Sequence, residues 1–154
     1  MNLENLKMVF FDFDDTLCIH TKHQTDSDYS RKLFKYGFDV YDDCESSPHM
    51  KKLLDLCVEQ GIRVGLMSCV ACYQHAETKR IWVADNYGVE LENFCVGVQE
   101  AKSEMLEKFV KAVGYAPDEV ALVDDWWYHL ERVSNLGFRA YSPLQVVNFI
   151  DGLK

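Results

Sequence analysis

Two short apolar runs, each ending directly in acidic residues, constrain the fold of this chain more than any other feature. The first is KMVFFDFDD, in which the apolar residues 8–11 lead into Asp12 and Asp14. The second is EVALVDD, which leads into Asp124 and Asp125. Unbroken apolar runs of this length are typical of strands that are buried on both faces, as in parallel sheets. Carboxylates beside buried strands repel one another and lose solvation, so we expect them to have a partner or a chemical purpose.

The rest of the chain alternates between helical and strand-like patterns. An apolar stripe at helical spacing covers 48–59, and IRVGLMS then predicts a strand that ends in Ser68. Further helices are predicted over 73–86, 103–113, 128–137 and 143–153, and further strands at NFCVGVQ (93–99) and FRAYS (138–142). Ser47 and Ser103 are the predicted N-caps of the helices at 48–59 and 103–113. Strand–helix alternation with short connections predicts an α/β protein, with a three-layer, Rossmann-like parallel sheet flanked by helices.

The size and charge of the chain narrow the class of protein. With 154 residues, we expect a single domain over 1–154. Sixteen basic residues against 25 acidic ones give a formal net charge of −9, which argues against nucleic acid as a partner. No apolar run approaches the length of a membrane span, and MNLENLKMVF lacks a signal-peptide pattern. We interpret the six scattered cysteines as reduced thiols, which indicates a cytoplasmic protein.

Polar side chains follow the predicted strands at their carboxyl ends. They are Asp12 and Asp14 after the first strand, Ser68 after the second, Lys102 at a helix start, and Asp124 and Asp125 after a later strand. Parallel strands share one direction, so these groups meet at the edge of the sheet where ligands bind. Like charges about 4 Å apart repel by roughly 4 kcal/mol at an effective dielectric of 20. A hard cation such as Mg²⁺ relieves this repulsion. Together with a lysine and a serine it forms a phosphate-binding site, beside which a carboxylate can attack phosphorus.

In their order along the chain, these motifs resemble those of the haloacid dehalogenase superfamily of phosphotransferases. VFFDFDDTL matches the first family motif, RVGLMS the second, AKSEMLEKF the third and VALVDD the fourth. The resemblance spans nearly the whole chain, and the first motif is its most specific part. It implies a haloacid dehalogenase-like fold and a phosphatase, that is, an enzyme that hydrolyses phosphomonoesters with Mg²⁺.

The resemblance also implies a role for each matched residue. Asp12 is the expected nucleophile, which forms an aspartyl-phosphate, and Asp14 is the expected general acid and base. An acid in this role needs a raised pKa, and we expect crowding among the carboxylates to raise one. Ser68 and Lys102 are expected to bind phosphate oxygens, while Asp15 is given no catalytic role. The expected Mg²⁺ ligands are Asp12, the backbone carbonyl of Asp14, Asp124 and Asp125, and the Asp-Asp pair leaves open which of its members binds directly.

The spacing between the motifs leaves little room for a cap domain. Between Asp12 and Ser68, the helix before the second strand leaves only 18–47, which we expect to form a small insert or minimal cap. The interval from Ser68 to Lys102 is too short for the alternative cap domain of the family. The layout is similar to the compact, magnesium-dependent phosphatase branch. An open site of this kind accepts a phosphorylated macromolecule, or a phosphorylated small molecule if a loop or the second protomer of a homodimer covers it.

Residues beside the motifs are further candidates. Those expected to line the substrate site are His20, Cys69, Trp126 and Trp127. For each of them the alternative is ordinary packing or an exposed position. Cys69 and Cys72 form a Cys-x-x-Cys pair, and a zinc site would require Cys18 and His20 to converge with them. A reactive thiol near the start of a helix is the favoured interpretation of this pair.

A phosphorylatable receiver-like signalling module, or a phosphate-binding module without turnover, is the competing functional hypothesis. Receivers also place acidic residues, a phosphoacceptor aspartate, a hydroxyl and a lysine near Mg²⁺. Their phosphoacceptor lies on a middle strand, whereas here Asp124 and Asp125 follow Lys102, an order that disfavours a receiver. The presence of both Asp14 and Lys102 disfavours a silent binding module, so the phosphatase is the leading hypothesis.

Overall fold

A computed structural model of the chain describes residues 1–21, 36, 41, 44–97 and 101–153. Within these residues the strands are β1 (Met8–Phe11), β2 (Cys18–His20), β3 (Cys44–Ser46), β4 (Arg63–Leu66), β5 (Cys69–Val70), β6 (Glu92–Asn93), β7 (Val96–Gly97), β8 (Val120–Val123) and β9 (Arg139–Tyr141). The α-helices are α1 (Pro48–Glu59), α2 (Tyr73–Tyr87), α3 (Lys102–Val113), α4 (Trp127–Asn135) and α5 (Pro143–Asp151), and a 3₁₀ turn covers Pro117–Glu119.

The centre of the fold is a five-stranded parallel sheet in the order β6-β4-β1-β8-β9. β1 lies in the middle and pairs in parallel with β4 and with β8. The outer pairs, β4 with β6 and β8 with β9, are parallel as well. The apolar sequences of β1 and β8 suit these inner positions, because both strands are buried along their whole length. The α/β fold class predicted from the sequence is confirmed.

Successive side chains of β1 pack on opposite faces of the sheet, in two separate apolar layers. Val9 and Phe11 belong to the cluster that α1, α2 and α5 cover, whereas Met8 and Phe10 belong to the cluster beneath α3 and α4. Gly65 in β4 lets the second layer close, because a Cβ atom there would lie 2.5 Å from Met8 Cε. Helices therefore cover both faces of the sheet, which leaves its edges and strand ends for a site.

The sequence-based strand over 93–99 is wrong in extent. β6 ends at Asn93 and pairs with β4, and β7 begins at Val96 and pairs with β5 outside the main sheet. Between them, the side-chain oxygen of Asn93 accepts a hydrogen bond from the Cys95 N–H at 3.1 Å. Backbone bonds from the Phe94 N–H to the Leu66 oxygen at 2.8 Å and from the Val96 N–H to the Ser68 oxygen at 2.9 Å still join this segment to the end of β4 and the residues after it.

The two predicted helix caps have different outcomes. Ser47 caps α1 as expected: its hydroxyl accepts from the Met50 N–H, and Pro48 fills the first turn. Ser103, in contrast, lies inside the first turn of α3, whose N-cap is Ala101. This shift makes Lys102 the first residue of the helix. Among the described residues, the structure contains no helix that is both long and apolar enough to cross a membrane.

The segment predicted to form a small insert begins and ends in paired strands. β2 and β3 pair in antiparallel fashion, with His20 opposite Cys44 and Cys18 opposite Ser46. Most of the residues between these two strands lie outside the described ranges. The assignment of 18–47 as a minimal cap therefore stays a prediction.

Candidate active site

The register of the central strands places Asp12, Ser68 and Asp124 at one edge of the sheet. The last residue of β1 pairs with the last residues of β4 and β8, so the chain leaves all three strands at the same level. The Asp12 N–H donates to the backbone oxygen of Val123 at 2.8 Å, which extends this ladder by one step. Asp12 is 7%, Ser68 1% and Asp124 0% exposed. The structure thus brings together three buried polar residues that the sequence assigned to one site.

Lys102 lies between two of these carboxylates. Its Nζ is 2.6 Å from Asp12 Oδ1 and 2.7 Å from Asp124 Oδ2. Burial by itself lowers the pKa of a lysine, but the two carboxylates raise the pKa of Lys102 above its usual value. A lysine at a helix N-terminus also opposes the helix dipole, so the carboxylates rather than the helix hold it charged. The ammonium group is therefore fixed beside the predicted nucleophile.

Asp12, Asp124 and Asp125 form an acidic group that fits a hard divalent cation. Each offers a carboxylate oxygen, and these oxygens lie within 4.8 Å of one another. Burial raises the pKa of Asp12; Lys102 opposes this effect, and Asp124 adds to it. Burial, followed by repulsion from Asp12 and Asp124, raises the pKa of Asp125 to about 7. A cation would offset both the burial of these carboxylates and their mutual repulsion, and oxygen donors of this kind suit a cation such as Mg²⁺.

Two basic side chains hold the carboxylate of Asp14. Lys79 Nζ donates to Asp14 Oδ2 at 2.6 Å, and His20 Nε2 lies 3.2 Å from Asp14 Oδ1. Burial by itself lowers the pKa of His20, but hydrogen bonding, first to Asp14, raises it to about 10. The ring is therefore charged at neutral pH. Burial alone raises the pKa of Asp14, yet Lys79 and His20 hold it below its usual range.

The raised pKa that the sequence analysis expected for the acid–base residue occurs at other carboxyls of the site and not at Asp14. Burial, with repulsion between the carboxylates adding to it, raises the pKa of Asp12 and of Asp125, whereas Lys79 and His20 lower the pKa of Asp14, the expected proton donor, against the effect of burial. The reason is that the carboxylate of Asp14 contacts cations rather than other carboxylates. The metal contact predicted for Asp14 uses its backbone carbonyl, and it stays a prediction.

Lys79 also reaches Ser68, and sequence reasoning missed it. The same Nζ donates to Ser68 Oγ at 2.8 Å, so one buried ammonium joins the predicted acid–base residue to the predicted phosphate-binding hydroxyl. Lys79 is 1% exposed although it lies in the charged stretch AETKR. The available signal was its spacing, because buried Ala76 and Val83 lie one turn away on the same face of α2. A lysine within an apolar helix face needs a buried anionic partner.

His129 is a second residue that the sequence analysis missed. His129 lies in the first turn of α4, and its Nδ1 is 3.0 Å from Asp124 Oδ2. Burial by itself raises the pKa of Asp124, but Lys102, followed by His129, lowers it below its usual value. Asp124 is therefore held as a carboxylate by two basic groups. The short interval between the last acidic motif and His129 was the only available sequence signal.

A tight turn fixes the step from Asp12 to Asp14. Asp15 adopts φ +52°, a left-handed conformation that residues other than glycine rarely adopt, and its N–H donates to the backbone oxygen of Cys18 at 2.9 Å. Thr16 is fully buried, and its hydroxyl has no hydrogen-bond partner in the part of the chain that the structure describes. The backbone of Asp15 thus serves the turn, and the assignment of no catalytic role to its side chain stays a prediction.

The candidate substrate-lining residues occupy different positions. His20 contacts Asp14, as described above, and the backbone oxygen of Cys69 lies 3.4 Å from Lys79 Nζ. Trp126 and Trp127 are 51% and 67% exposed at the start of α4. The Trp126 N–H donates to Asp124 Oδ1 at 2.9 Å, so this residue supports the site through its backbone. A substrate contact for any of these residues stays a prediction.

The zinc arrangement considered from the sequence takes a different form in the structure. The ligand atoms of Cys18 and His20 lie together with that of Cys44, and neither Cys69 nor Cys72 belongs to this group. Cys72 is exposed and occupies the N-cap position of α2, without a side-chain capping bond. The Cys-x-x-Cys pair therefore contributes no ligand to the group that forms.

Comparison with known proteins supports the fold. No protein-family model matches the sequence, and no curated protein matches it at a significant level. Among solved structures, a cobalt-bound deoxy-D-mannose-octulosonate 8-phosphate phosphatase from Haemophilus influenzae is similar, with a TM-score of 0.55, 17% identity, and coverage of 91% of this chain and 70% of that one. A Bacteroides fragilis protein described as a haloacid dehalogenase-like hydrolase aligns with a TM-score of 0.61, 17% identity, and coverage of 88% and 86%.

A third similar structure holds ligands. It is a haloacid dehalogenase family enzyme from Bacteroides thetaiotaomicron in complex with magnesium and inorganic phosphate, with a TM-score of 0.53, 15% identity, and coverage of 89% and 93%. At these identities the likeness concerns the fold. The order of the strands, the acidic residues at the strand ends and the three similar structures all indicate the same fold. The chain has the fold of the haloacid dehalogenase superfamily, as its motifs predicted.

Proposed function

We propose that this protein is a Mg²⁺-dependent phosphomonoester hydrolase that works through an aspartyl-phosphate on Asp12. The observation that carries the proposal is the division of the buried charges into two sets. Asp12 and Asp124 share Lys102, while Asp14 and Ser68 share Lys79. Two carboxylates two positions apart in the sequence therefore have different surroundings, as a nucleophile and an acid–base group require.

The first half of the reaction joins phosphorus to Asp12. An oxygen of Asp12 attacks phosphorus, the bond to the leaving oxygen breaks, and a proton on Asp14 passes to that oxygen. Lys102, Ser68 and Lys79 provide donors for the phosphate oxygens, whose charge the ammonium groups offset. In the second half, Asp14 takes a proton from water, the water oxygen attacks phosphorus, and the bond to Asp12 breaks to release phosphate.

Substrate binding would also change the protonation of Asp14. Without substrate, Lys79 and His20 keep Asp14 ionised, which suits the base of the second half but not the acid of the first. A phosphate oxygen that hydrogen-bonds to Lys79 competes with Asp14 for the ammonium group. This competition weakens the ion pair and raises the pKa of Asp14 when a leaving oxygen is present to receive its proton.

Asp12, Asp124 and Asp125 would hold the cation, with the backbone carbonyl of Asp14 as a further ligand. When bound, Mg²⁺ supplies positive charge that offsets carboxylate repulsion and phosphate charge. The oxygen-only donor set supports a hard cation. The neighbour from Bacteroides thetaiotaomicron, which holds magnesium and inorganic phosphate, supports the same assignment. The substrate class proposed is a phosphorylated small molecule or a phosphorylated macromolecule, and a homodimer remains a proposal.

The proposal is tested with an aryl phosphate and Mg²⁺. We expect turnover that EDTA abolishes and added Mg²⁺ restores, and we expect Asp12→Asn to reduce kcat by at least about 1,000-fold. The matched control is Asp15→Asn, because asparagine tolerates the left-handed conformation and the same type of charge is lost beside the site. Asp15→Asn should retain activity within a few-fold. Rapid turnover by Asp12→Asn would refute the nucleophile, and a stable phosphoprotein without turnover would favour the receiver-like module.

A further inference from the structure

A second group of metal-ligating side chains lies beside the acidic site and differs from it chemically. Cys18, His20 and Cys44 each offer a ligand atom, and these atoms lie within 4.8 Å of one another. Cys44 Sγ is 3.3 Å from His20 Nδ1. The acidic group described above contains only oxygen donors, whereas this group contains two sulfurs and one ring nitrogen. Such donors select thiophilic ions rather than Mg²⁺.

The register of the β2–β3 pair creates this group. Side chains alternate along a strand, so Cys18 and His20, two positions apart, project from the same face of β2. Cys44 lies directly opposite His20 in the antiparallel ladder and therefore shares that face. The three ligands are thus positioned by backbone hydrogen bonds, before any ion binds.

Burial and oxidation state favour coordination. Cys18 is 0% exposed, and the side chain of His20 is 5% exposed. Cys18 and Cys44 form no disulfide in the structure, so each carries a thiol sulfur that can bind an ion. With a zinc–sulfur distance of about 2.3 Å, ligand atoms at the corners of a tetrahedron lie roughly 3.7 Å apart. The observed separations require only small side-chain rotations to reach that geometry.

The imidazole of His20 is oriented as in metal-binding histidines. Its Nδ1 faces the sulfur of Cys44, and its Nε2 lies 3.2 Å from Asp14 Oδ1. A ligating histidine usually donates its second ring N–H to a carboxylate, which fixes the ring and its tautomer. Here Asp14 provides that carboxylate, so Nδ1 is the nitrogen left for an ion.

We propose that Cys18, His20 and Cys44 bind one thiophilic divalent ion of the Zn²⁺ class, with water in the fourth position. Binding forms two metal–sulfur bonds and one metal–nitrogen bond. The two thiols and the Nδ1 position release their protons to solvent, and no electron is transferred. The Nε2–H of His20 continues to donate to Asp14, so the ion fixes a group that contacts the predicted acid–base residue. That consequence rests on the proposed function, but metal binding itself does not.

The test is a Co²⁺ titration of the whole chain, kept reduced with a phosphine and supplied with excess Mg²⁺ to fill the oxygen site. Co²⁺ bound by thiolates gives charge-transfer absorption that Co²⁺ bound by oxygen ligands lacks. We expect this absorption to saturate at one ion per chain, and equimolar Zn²⁺ to remove it. Cys44→Ser removes a direct ligand, so it should weaken Zn²⁺ affinity by more than the about 10-fold that loss of an outer-shell partner costs. Cys72→Ser, which removes an exposed thiol outside the group, should leave the Co²⁺ absorption and the Zn²⁺ affinity unchanged.

Thermal unfolding with and without Zn²⁺ provides a second readout, because Cys44 is only half-buried and its serine variant should fold. Zn²⁺ should raise the Tm of the wild-type protein and of Cys72→Ser, but not that of Cys44→Ser. Absence of thiolate absorption in the reduced wild-type protein would overturn the proposal. Thiolate absorption in Cys44→Ser with the intensity and affinity of the wild-type protein would overturn it too, as would a Cys18–Cys44 disulfide in a chain whose reduced form binds no Zn²⁺. None of these readouts depends on phosphatase activity, so failure of the metal site can be distinguished from failure of the proposed function.

Discussion

Replacing Lys79 by methionine removes an ammonium group that is buried between Asp14 and Ser68. The side chains of Lys79 and Asp14 are 1% and 16% exposed, so water cannot fully replace the lost partner. Methionine keeps most of the volume of the lysine stem, so the change tests charge more than packing. We expect the Lys79→Met variant to fold with a lower free energy of unfolding and to lose most of its phosphatase activity.

The size of the effect follows from the geometry. At 2.6 Å the attraction between Lys79 and Asp14 amounts to about 6 kcal/mol at an effective dielectric of 20. Desolvation of the two ions offsets part of this, and removal of one member of a buried pair costs about 3–5 kcal/mol. His20, 3.2 Å from the other oxygen of Asp14, remains in the variant. The lower end of this range, about 3 kcal/mol, is therefore expected at neutral pH.

The loss should depend on pH with a defined sign. Despite burial, which by itself raises it, the pKa of Asp14 is held below its usual range by Lys79 and His20. A carboxyl with a depressed pKa in the folded state stabilises the protein above its unfolded pKa of about 3.9 and loses this contribution as the pH falls through the folded value. The difference between the wild-type protein and Lys79→Met should therefore be largest at neutral pH and shrink below about pH 4.

Urea unfolding of a double-mutant cycle measures this interaction. Adding Asp14→Asn to Lys79→Met removes the uncompensated carboxylate, so the double variant should recover about 2 kcal/mol relative to the sum of the single changes. Lys51→Met is the matched control, because Lys51 pairs with Asp55 on the exposed face of α1, and it should cost less than about 1 kcal/mol. The reasoning fails if Lys79→Met costs no more than Lys51→Met, or if the cycle shows no coupling.

Three further outcomes test other parts of the site. Burial and neighbouring carboxylates raise the pKa of Asp125 to about 7, so protons should compete with the cation there. The Mg²⁺ concentration that gives half-maximal activity should therefore decrease as the pH rises from 6 to 8, and Asp125→Asn should weaken this dependence on pH. Ser68→Ala should raise KM by about 10-fold through loss of a hydrogen bond to a charged phosphate, with a smaller change in kcat. Trp127→Ala should raise KM for an aryl phosphate without lowering Tm, because the side chain is 67% exposed; an unchanged KM would remove it from the substrate site.

The part of the site that could be predicted from the sequence is the part that follows from strand direction. Apolar runs ending in Asp12 and Asp124 require only that parallel strands finish at one edge, and the register of β1 with β8 meets that requirement. The end of β4 delivers Ser68 in the same way. These positions are local to each strand, so no knowledge of helix rotation or loop path was needed.

Side chains that arrive from helices or across loops could not be placed in this way. Lys79 reaches the site because one face of α2 packs on the sheet. The charged residues next to Lys79 in the sequence make the apolar pattern of that face difficult to recognise. The lowered pKa of Asp14 depends on Lys79, so it was equally hidden. Cys44 lies near Cys18 through the antiparallel register of β2 and β3, and no local sequence pattern connects the two residues.

Acid-quenched mass spectrometry of the Asp14→Asn variant tests the central claim most directly. With an aryl phosphate the leaving group needs little protonation, so Asp12 should still be phosphorylated, whereas loss of the base slows hydrolysis of the intermediate by about 100- to 10,000-fold. The account predicts a phosphoryl group that accumulates within one turnover and maps to Asp12. It also predicts that no adduct forms when Asp12→Asn is added to the same protein. Turnover without any covalent adduct, or an adduct on another residue, would contradict it.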